Sequence, residues 1–428
     1  MKGKETTVVG IDWSSNSHTC YALEDEKLFK ISDDVVGYKK LINRYEKAVF
    51  VIEEANNRIG QYLLKNNKKV YVLSPSRSKQ ARQYHFSSGA KTDNLDAKAI
   101  ALTFKEHPGY CFEARYSEDA VTITEMVNAY NVVCNSHAQN CNRLHTALGK
   151  YFPEFLRVMK DAYKSVAALI ILSEYPTIDE LRETTNDELK KLINSKEARF
   201  NSSLKKKLDT IRKEADSWNA SSYGSRLIKT LVQTLYALRM EKEHLLAEMD
   251  RFLKASPYKV VLTVPGIGAV AGAYIVKAFL THDFKNYQEF QRYVGTIPMI
   301  VQSGKKSFMI MRRKCDRDTR DKLYFAALAS RSQSSWTKAY YLKKRNEGKT
   351  NGHALRALGN ILLKISFAVL SKLEEYDEAF FLNAKGIKTH LNHTTNSQSN
   401  SNPGDSQDVN PSLAATKDVI DVLTVTGR

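Results

Sequence analysis

Cysteine is scarce and shows no pairing pattern: five residues in 428 (Cys20, Cys111, Cys134, Cys141 and Cys315), an odd number with no Cys-x-x-Cys spacing. That argues against a disulfide framework and for a reducing, cytoplasmic compartment. Long apolar runs are missing too. No stretch reaches eighteen unbroken apolar residues, so no membrane partner is expected. The start, MKGKETTVVGID, has neither an apolar h-region nor a small-residue cleavage site, so it does not read as a secretory signal. Acidic residues are outnumbered, 47 against 65 Lys and Arg, which leaves a net charge of +18. Such a shortage of negative charge makes a polyanion, most often nucleic acid, the leading partner. What is present is an ordinary globular composition, 42% hydrophobic and 26% charged.

The excess charge is localised. Residues 1–113 hold 18 basic and 14 acidic side chains, residues 114–256 hold 22 and 19, residues 257–384 hold 21 and 10, and residues 385–428 hold 4 and 4. Between Lys305 and Arg345 there are 13 basic and 3 acidic residues. A solvated helix face mixes both signs, so this bias reads as a phosphate-contacting surface. The polar, turn-rich tail 385–428 cannot bury enough apolar surface to offset its ordering entropy and is expected to be disordered.

Four segments follow from periodicity. Within residues 1–113, strand-like runs over Thr6–Asp12, His18–Leu23, Lys27–Ile31, Ala48–Glu54 and Lys69–Leu73 alternate with helical spacing over Val35–Tyr45. Three strands, a helix, a strand, a helix and a strand is the order of an α/β layer of the ribonuclease-H or RuvC type. Residues 114–256 turn to long helices. Val127, Tyr130, Cys134, His137, Cys141, Leu144 and Leu148, then Ile228, Leu231, Leu235, Leu238, Lys242, Leu245, Met249 and Phe252, step by three and four, as in the seam of an antiparallel coiled coil. A helical insertion at about 150–210 lies between them. Cys134, His137 and Cys141 share a helix face, but a seam by itself supplies no fourth zinc ligand, so they read as small seam fillers. Residues 257–384 read as a mostly helical basic domain.

Several motifs carry chemistry. Asp12 ends VVGID, where the sheet holds a carboxylate open at its edge. Glu53 and Glu54 end AVFVIEEA, and strand alternation sends them to opposite faces, so one of the two can join Asp12. In KTDNLDA, Thr92 is a good N-cap, and Asp93 and Asp96 then share one face of the first helical turn. Asp12, one glutamate, Asp93 and Asp96 make a set of oxygen ligands for Mg²⁺ acting on phosphate. TVPGIG, with Gly266 and Gly268 before the helix at Ala269, is a turn of the helix-hairpin-helix type whose backbone N–H groups can approach a phosphate. In PMIVQSGKK, Ser303 stands beside Gly304, Lys305 and Lys306, with Arg312, Arg313 and Lys314 following. A serine that attacks a phosphodiester needs exposure, cations for the phosphate and help in losing its proton.

Together these motifs resemble the DEDD transposases of insertion sequences, which are related to the Piv-type DNA invertases. The resemblance runs over about residues 6–370 and rests on GID, an acidic strand end, KTDNLDA, the helical middle with FPEF and EYPTIDEL, TVPGIG, and the P-x-x-x-x-S-G step. It implies a RuvC-like domain whose tetrad, matched by Asp12, Glu54, Asp93 and Asp96, binds Mg²⁺. The E-A step at Glu54–Ala55 selects that glutamate, although the usual Thr-Gly does not follow. It also implies a C-terminal transposase domain whose nucleophile is matched by Ser303, without the family's usual glycine in the basic stretch behind it. Recombination would run through a covalent phosphoserine on the ends of the element and its target. Family members act as homo-oligomers, dimeric or tetrameric, and are similar to recombinases guided by a structured bridge RNA. Three other readings remain open on the residues alone: a RuvC-type junction nuclease in which water attacks, a sugar-kinase-like ATPase suggested only by GIDWSSN, and an architectural DNA-binding protein.

Overall fold

Six strands make one sheet in the computed structural model, which describes residues 7–55, 57–73, 75–86, 92–196, 198–214, 222–303 and 306–384. In chain order the first elements are β1 (Val8–Asp12), β2 (Ser17–Ala22), β3 (Lys27–Ser32), α1 (Val35–Arg44), β4 (Val49–Ile52), α2 (Arg58–Lys65), β5 (Lys69–Val72), α3 (Pro75–His85), α4 (Asp93–Glu106) and β6 (Phe112–Glu113). Across the sheet the order is β3-β2-β1-β4-β5-β6. β1, β4 and β5 run parallel, and the remaining strands are antiparallel to their neighbours. The expected alternation of strands and helices is present, with each of the five expected strands within two residues of its expected bounds and β6 unexpected.

Both faces of the sheet are covered, which is why its central strands read as nearly continuous apolar runs. Val9, Ile11, Phe50 and Ile52 pack with Tyr38 and Leu41 of α1 and Ile59 and Leu63 of α2. Val8, Tyr21 and Val51 pack instead with Ala97, Ile100 and Ala101 of α4. Burying each of the larger apolar side chains contributes about 1.5–3 kcal/mol. Side chains start the helices: Asp34 accepts from the Gly37 N–H at 2.7 Å, Asn57 from Gly60 at 2.8 Å, and Thr92 from Leu95 at 3.3 Å.

The α4 face depends on a close approach at Gly10. A Cβ built there would strike the Ala97 carbonyl oxygen and the backbone and side chain of Ala101. Two alanines on α4 and a glycine on β1 bring backbone against backbone, without a side chain between. Gly10→Ala is expected to push α4 off the sheet and destabilise the chain by about 1–3 kcal/mol; thermal denaturation measures it, and an unchanged melting temperature would disprove the contact.

The chain folds as two units, residues 1–124 with 250–428 and residues 125–249. The expected first and third segments, 1–113 and 257–384, therefore fall in one unit. After β6 come α5 (Glu118–Tyr151), α6 (Pro153–Val158), α7 (Val166–Glu174), α8 (Ile178–Glu183), α9 (Asn186–Ser195), α10 (Ser202–Glu214) and α11 (Ser222–Ala255). Within residues 125–249 the helices α6 to α10 lie in sequence between the long helices α5 and α11. Leu144 and Leu148 of α5 and Ile228 and Leu235 of α11 share a core with the insertion. Tyr151 lies on Gly224, while His137 faces Arg239 and Lys242, so the two long helices run in opposite directions there. Burial pushes the Cys141 thiol up, away from the thiolate form that binds metal.

The rest of the first unit is α12 (Ala269–Thr281), α13 (Tyr287–Val294), β7 (Met299–Ser303), β8 (Lys306–Ile310), α14 (Arg317–Gln333), α15 (Ser335–Asn346), α16 (Asn351–Lys372) and α17 (Glu378–Ala384). By length and composition α16 could cross a membrane, but over half of its apolar window is buried, with Leu355, Leu358, Leu362 and Leu363 inside the protein. It reads as a core helix. The tail 385–428 lies outside the described residues.

The helical part of the first unit is stitched to the free edge of β6. The Asp283 N–H donates to the Glu113 carbonyl at 2.9 Å, the Arg115 N–H to that of Thr281 at 3.2 Å, and the Arg115 and Asp283 side chains pair. His282 is enclosed there by Phe112, Phe284 and Tyr293. Burial pushes its imidazole down to about 4. Between pH 6.5 and 4 the unfolded chain therefore takes up a proton that the folded one refuses, and stability falls with pH. This one residue accounts for about 3 kcal/mol of loss by pH 4. In denaturation series across that range, His282→Phe is expected to show a flatter pH dependence than the parent; parallel curves would refute the assignment.

Candidate metal and nucleic-acid site

Asp12 is the last residue of β1, half-buried, in register with Thr19 of β2. Val8 and Gly10 face α4, so alternation places Asp12 on that side also. α4 brings Asp93 and Asp96 in its first turn, directly before the Ala97 that rests on Gly10. Asp93 is exposed, whereas Asp96 is only 6% exposed. At the end of β4, Val51 faces α4 and Ile52 faces away. Continued alternation would put Glu53 on the Asp12 side, but the strand stops at Ile52. Glu53 is half-buried and Glu54 exposed. Lys91 of the KTD motif lies outside the described residues.

The donor set fits a hard divalent ion, because carboxylate oxygens are the ligands Mg²⁺ takes. Among the described residues, however, no three Asp, Glu, His or Cys side chains stand close enough to hold one ion. Asp96 already has a cation beside it: the Arg82 guanidinium of α3 donates to its Oδ1.

A second polar network borders the loop that follows Asp12. His18 is fully buried on β2, its Nε2 3.0 Å from Asp33 Oδ1. Tyr38 donates to the same oxygen, and the Ser14 N–H donates to His18 Nδ1 at 3.4 Å. An accepting Nδ1 leaves the proton on Nε2, so the ring is neutral. Burial pushes its pKa down against the pull of Asp33. Burial alone would raise Asp33, but the bonds from Tyr38 and His18 outweigh it and hold that carboxyl low. The network fixes residues 14–16 beside the strand end.

The Ser303 region forms a hairpin where a loop was expected. β7 and β8 pair with each other from Met299↔Ile310 to Ser303↔Lys306 and join no other strand. Gly304, Lys305 and the side chains of Ser303 and Lys306 lie outside the described residues. Behind the hairpin, Arg312 is half-buried and its Nε donates to the Ile297 carbonyl at 3.2 Å, so part of its guanidinium serves the fold. Arg313 and Lys314 are exposed. Burial and the nearby charge of Arg77 lower the Lys314 pKa, which places a cation of α3 next to one from the basic segment.

The two glycines of PGIG differ. Gly266 has φ +81°, a Cβ there would strike the Ala326 carbonyl, and its N–H donates to Gln333 Oε1 at 2.6 Å. That amide is already satisfied within the protein. Gly268 is the N-cap of α12, with no side-chain cap and nothing within 4 Å of an added Cβ.

Sequence reasoning missed Arg82 and the His18–Asp33 pair. α3 (PSRSKQARQYH) shows no apolar period, and its signal was only compositional: cations and no acid.

Comparison with known proteins places the chain in a family. A family model described as Transposase matches residues 9–153, and one described as Transposase IS116/IS110/IS902 family matches residues 258–342. The chain is 24% identical over 398 residues to the mini-circle putative transposase for IS117 of Streptomyces coelicolor, covering 87% of this chain and 96% of that protein. It is 24% identical over 378 residues to an uncharacterized 44.8 kDa protein of insertion element IS116 from Streptomyces clavuligerus, covering 85% and 94%. The class is therefore a transposase, an enzyme that modifies DNA. Within that class the chain belongs to the DEDD transposases of insertion sequences.

The contrast between the glycines is testable by calorimetry. Gly266→Ala introduces strain at positive φ and a backbone clash, and is expected to lower stability by about 1–3 kcal/mol. Gly268→Ala is expected to stay within about 0.5 kcal/mol of the parent; equal losses would show that the two glycines are not distinct.

Proposed function

We propose that this transposase breaks and rejoins DNA with Ser303 as nucleophile, assisted by Mg²⁺ held by Asp12, Glu54, Asp93 and Asp96. The observation that carries the reading is the Gly10 contact, which sets the Asp93–Asp96 turn of α4 against the strand that ends in Asp12. The strand order β3-β2-β1-β4-β5, with β2 alone running against the other four, supports the RuvC-like assignment of residues 1–113. Bound at that edge, Mg²⁺ would supply charge stabilisation on the phosphate.

The chain's own residues do the rest. Ser303 Oγ would attack the scissile phosphorus and form a phosphoserine as the DNA strand leaves, and a DNA hydroxyl would reverse the step on the new partner. Lys305, Lys306, Arg313 and Lys314 would hold phosphate charge around it, and Arg312 would brace the strand behind. The Gly268 end of α12 offers backbone N–H groups to a phosphate, with Gly266 shaping the turn. A structured guide RNA paired with target and donor DNA is part of the reading carried by the family resemblance. So are assembly as a dimer or tetramer through a coiled coil of α5 and α11, and a place in the bacterial cytoplasm at the nucleoid. Residues 114–256 would form the oligomerisation region and 257–384 the transposase domain.

The test is a strand-exchange reaction on element-end DNA with its cognate RNA, followed by denaturing gels for a protein–DNA adduct. Ser303→Ala is expected to lose the adduct and at least about 10³-fold in rate. Asp12→Asn, Glu54→Gln, Asp93→Asn and Asp96→Asn are expected to lose activity as well. Loss in Glu53→Gln but not in Glu54→Gln would move the ligand to Glu53. Cleavage to free ends with no adduct would instead make the enzyme a junction nuclease that uses water.

A further inference from the structure

Asp96 has a partner that a metal ligand should not keep. Its side chain is 9% exposed, and Arg82, 15% exposed, places a guanidinium N–H on Oδ1. A carboxylate buried to this degree needs a positive partner, and in the absence of one its desolvation is strongly unfavourable. With a guanidinium on Oδ1, that oxygen is not open to a small octahedral cation. Mg²⁺ demands close, directed oxygen ligands, and a fixed positive charge beside it opposes its approach.

The pairing is built into the packing of α3 on α4. One turn beyond Arg82, His85 Nε2 reaches Thr103 Oγ1 at 3.5 Å and Glu106 at 3.9 Å. α3 carries Arg77, Lys79 and Arg82 and no acid, while the first turn of α4 carries Asp93 and Asp96 and no base. The two helices thus present opposite charge where the ligands stand. In this arrangement the guanidinium of Arg82 neutralises Asp96.

We propose that Arg82 is a resident counter-cation that occupies Asp96 until a divalent ion displaces it, so that α3 sets how readily the metal site assembles. The proposal rests on the metal-site reading above. It makes Arg82 a positioning residue for Asp96, with opposite effects on the two states: it stabilises the metal-free fold and weakens metal binding.

The test is equilibrium binding of Mn²⁺ to the full chain without nucleic acid, read from the electron paramagnetic resonance signal of the free ion. Arg82→Ala is expected to bind Mn²⁺ about tenfold more tightly than the parent, the release of one charge-assisted contact. Arg82→Gln, which keeps a donor but no charge, is expected to move the same way and serves if the alanine variant fails to fold. In Asp96→Asn, Mn²⁺ binding is expected to weaken, and adding Arg82→Gln to it should change nothing further. A second readout is the melting temperature: Arg82→Gln should melt lower than the parent in EDTA and regain more than the parent on addition of Mg²⁺. Unchanged or weaker Mn²⁺ binding by both Arg82 variants, with Asp96→Asn still impaired, would overturn the counter-cation role and leave the metal site standing. Parent-like binding by Asp96→Asn would overturn the metal site itself.

Discussion

The contact of α4 on β1 at Gly10 is the constraint on which the rest of the N-terminal layer depends. An α-helix normally stands about 10 Å from a sheet, held off by the side chains between them. Here Ala97, Ala101 and a glycine remove those side chains, so the helix backbone meets the strand directly. Two consequences follow from one small set of residues. The core on that face stays thin and closed by Ile100, Val51 and Tyr21, and the turn carrying Asp93 and Asp96 has no freedom to slide along the strand that ends in Asp12. A carboxylate constellation needs that fixity, because ligands to a small cation must be held within fractions of an ångström.

Fixity brings like charges near one another, and the structure answers with cations from outside the sheet. The net charge of +18 is uneven in sequence, and the fold makes the unevenness local. Arg82 lies on Asp96, Arg77 lies by Lys314, and the basic segment follows the Ser303 hairpin. The His18–Asp33–Tyr38 network solves a different problem. A loop that leaves a strand end must satisfy its backbone, and His18 supplies an acceptor for the Ser14 N–H from inside the protein. Two faces of the same strand end are thus tied down by different means, an ion pair on the α4 side and a hydrogen-bonded chain through neutral His18 to the Asp33 carboxylate on the α1 side.

Much of this was legible in the sequence, for physical reasons that differ by element. The central strands β1 and β4 were visible because strands buried on both faces must be apolar throughout, and the start of α4 because Thr92 caps it through the Leu95 N–H. KTDNLDA was informative because an i, i+3 pair on a first turn constrains where both acids point. α3 was invisible: its apolar content is low and its role is electrostatic, so no periodicity marks it. β6 escaped for the opposite reason, being two residues long and stabilised by what pairs across it from residues 281–283. Of the cations named as phosphate contacts, Arg312 shows the limit of reading charge from composition, since its Nε is spent on the Ile297 carbonyl.

The hairpin was missed because its strands do not have the composition of a covered sheet. Ile300 and Met309 point to one face and Val301, Phe308 and Ile310 to the other, and all five are exposed. A two-stranded ribbon alone is marginal in water, and apolar side chains left on both faces make it more so. Ser303 ends the first strand of that ribbon, so on the proposed reading the nucleophile stands on an exposed two-stranded element, while the acidic edge is held by the sheet and α4. On that reading the one gate the structure motivates is at Asp96, where a guanidinium must give way to a metal ion before the carboxylate can ligate it.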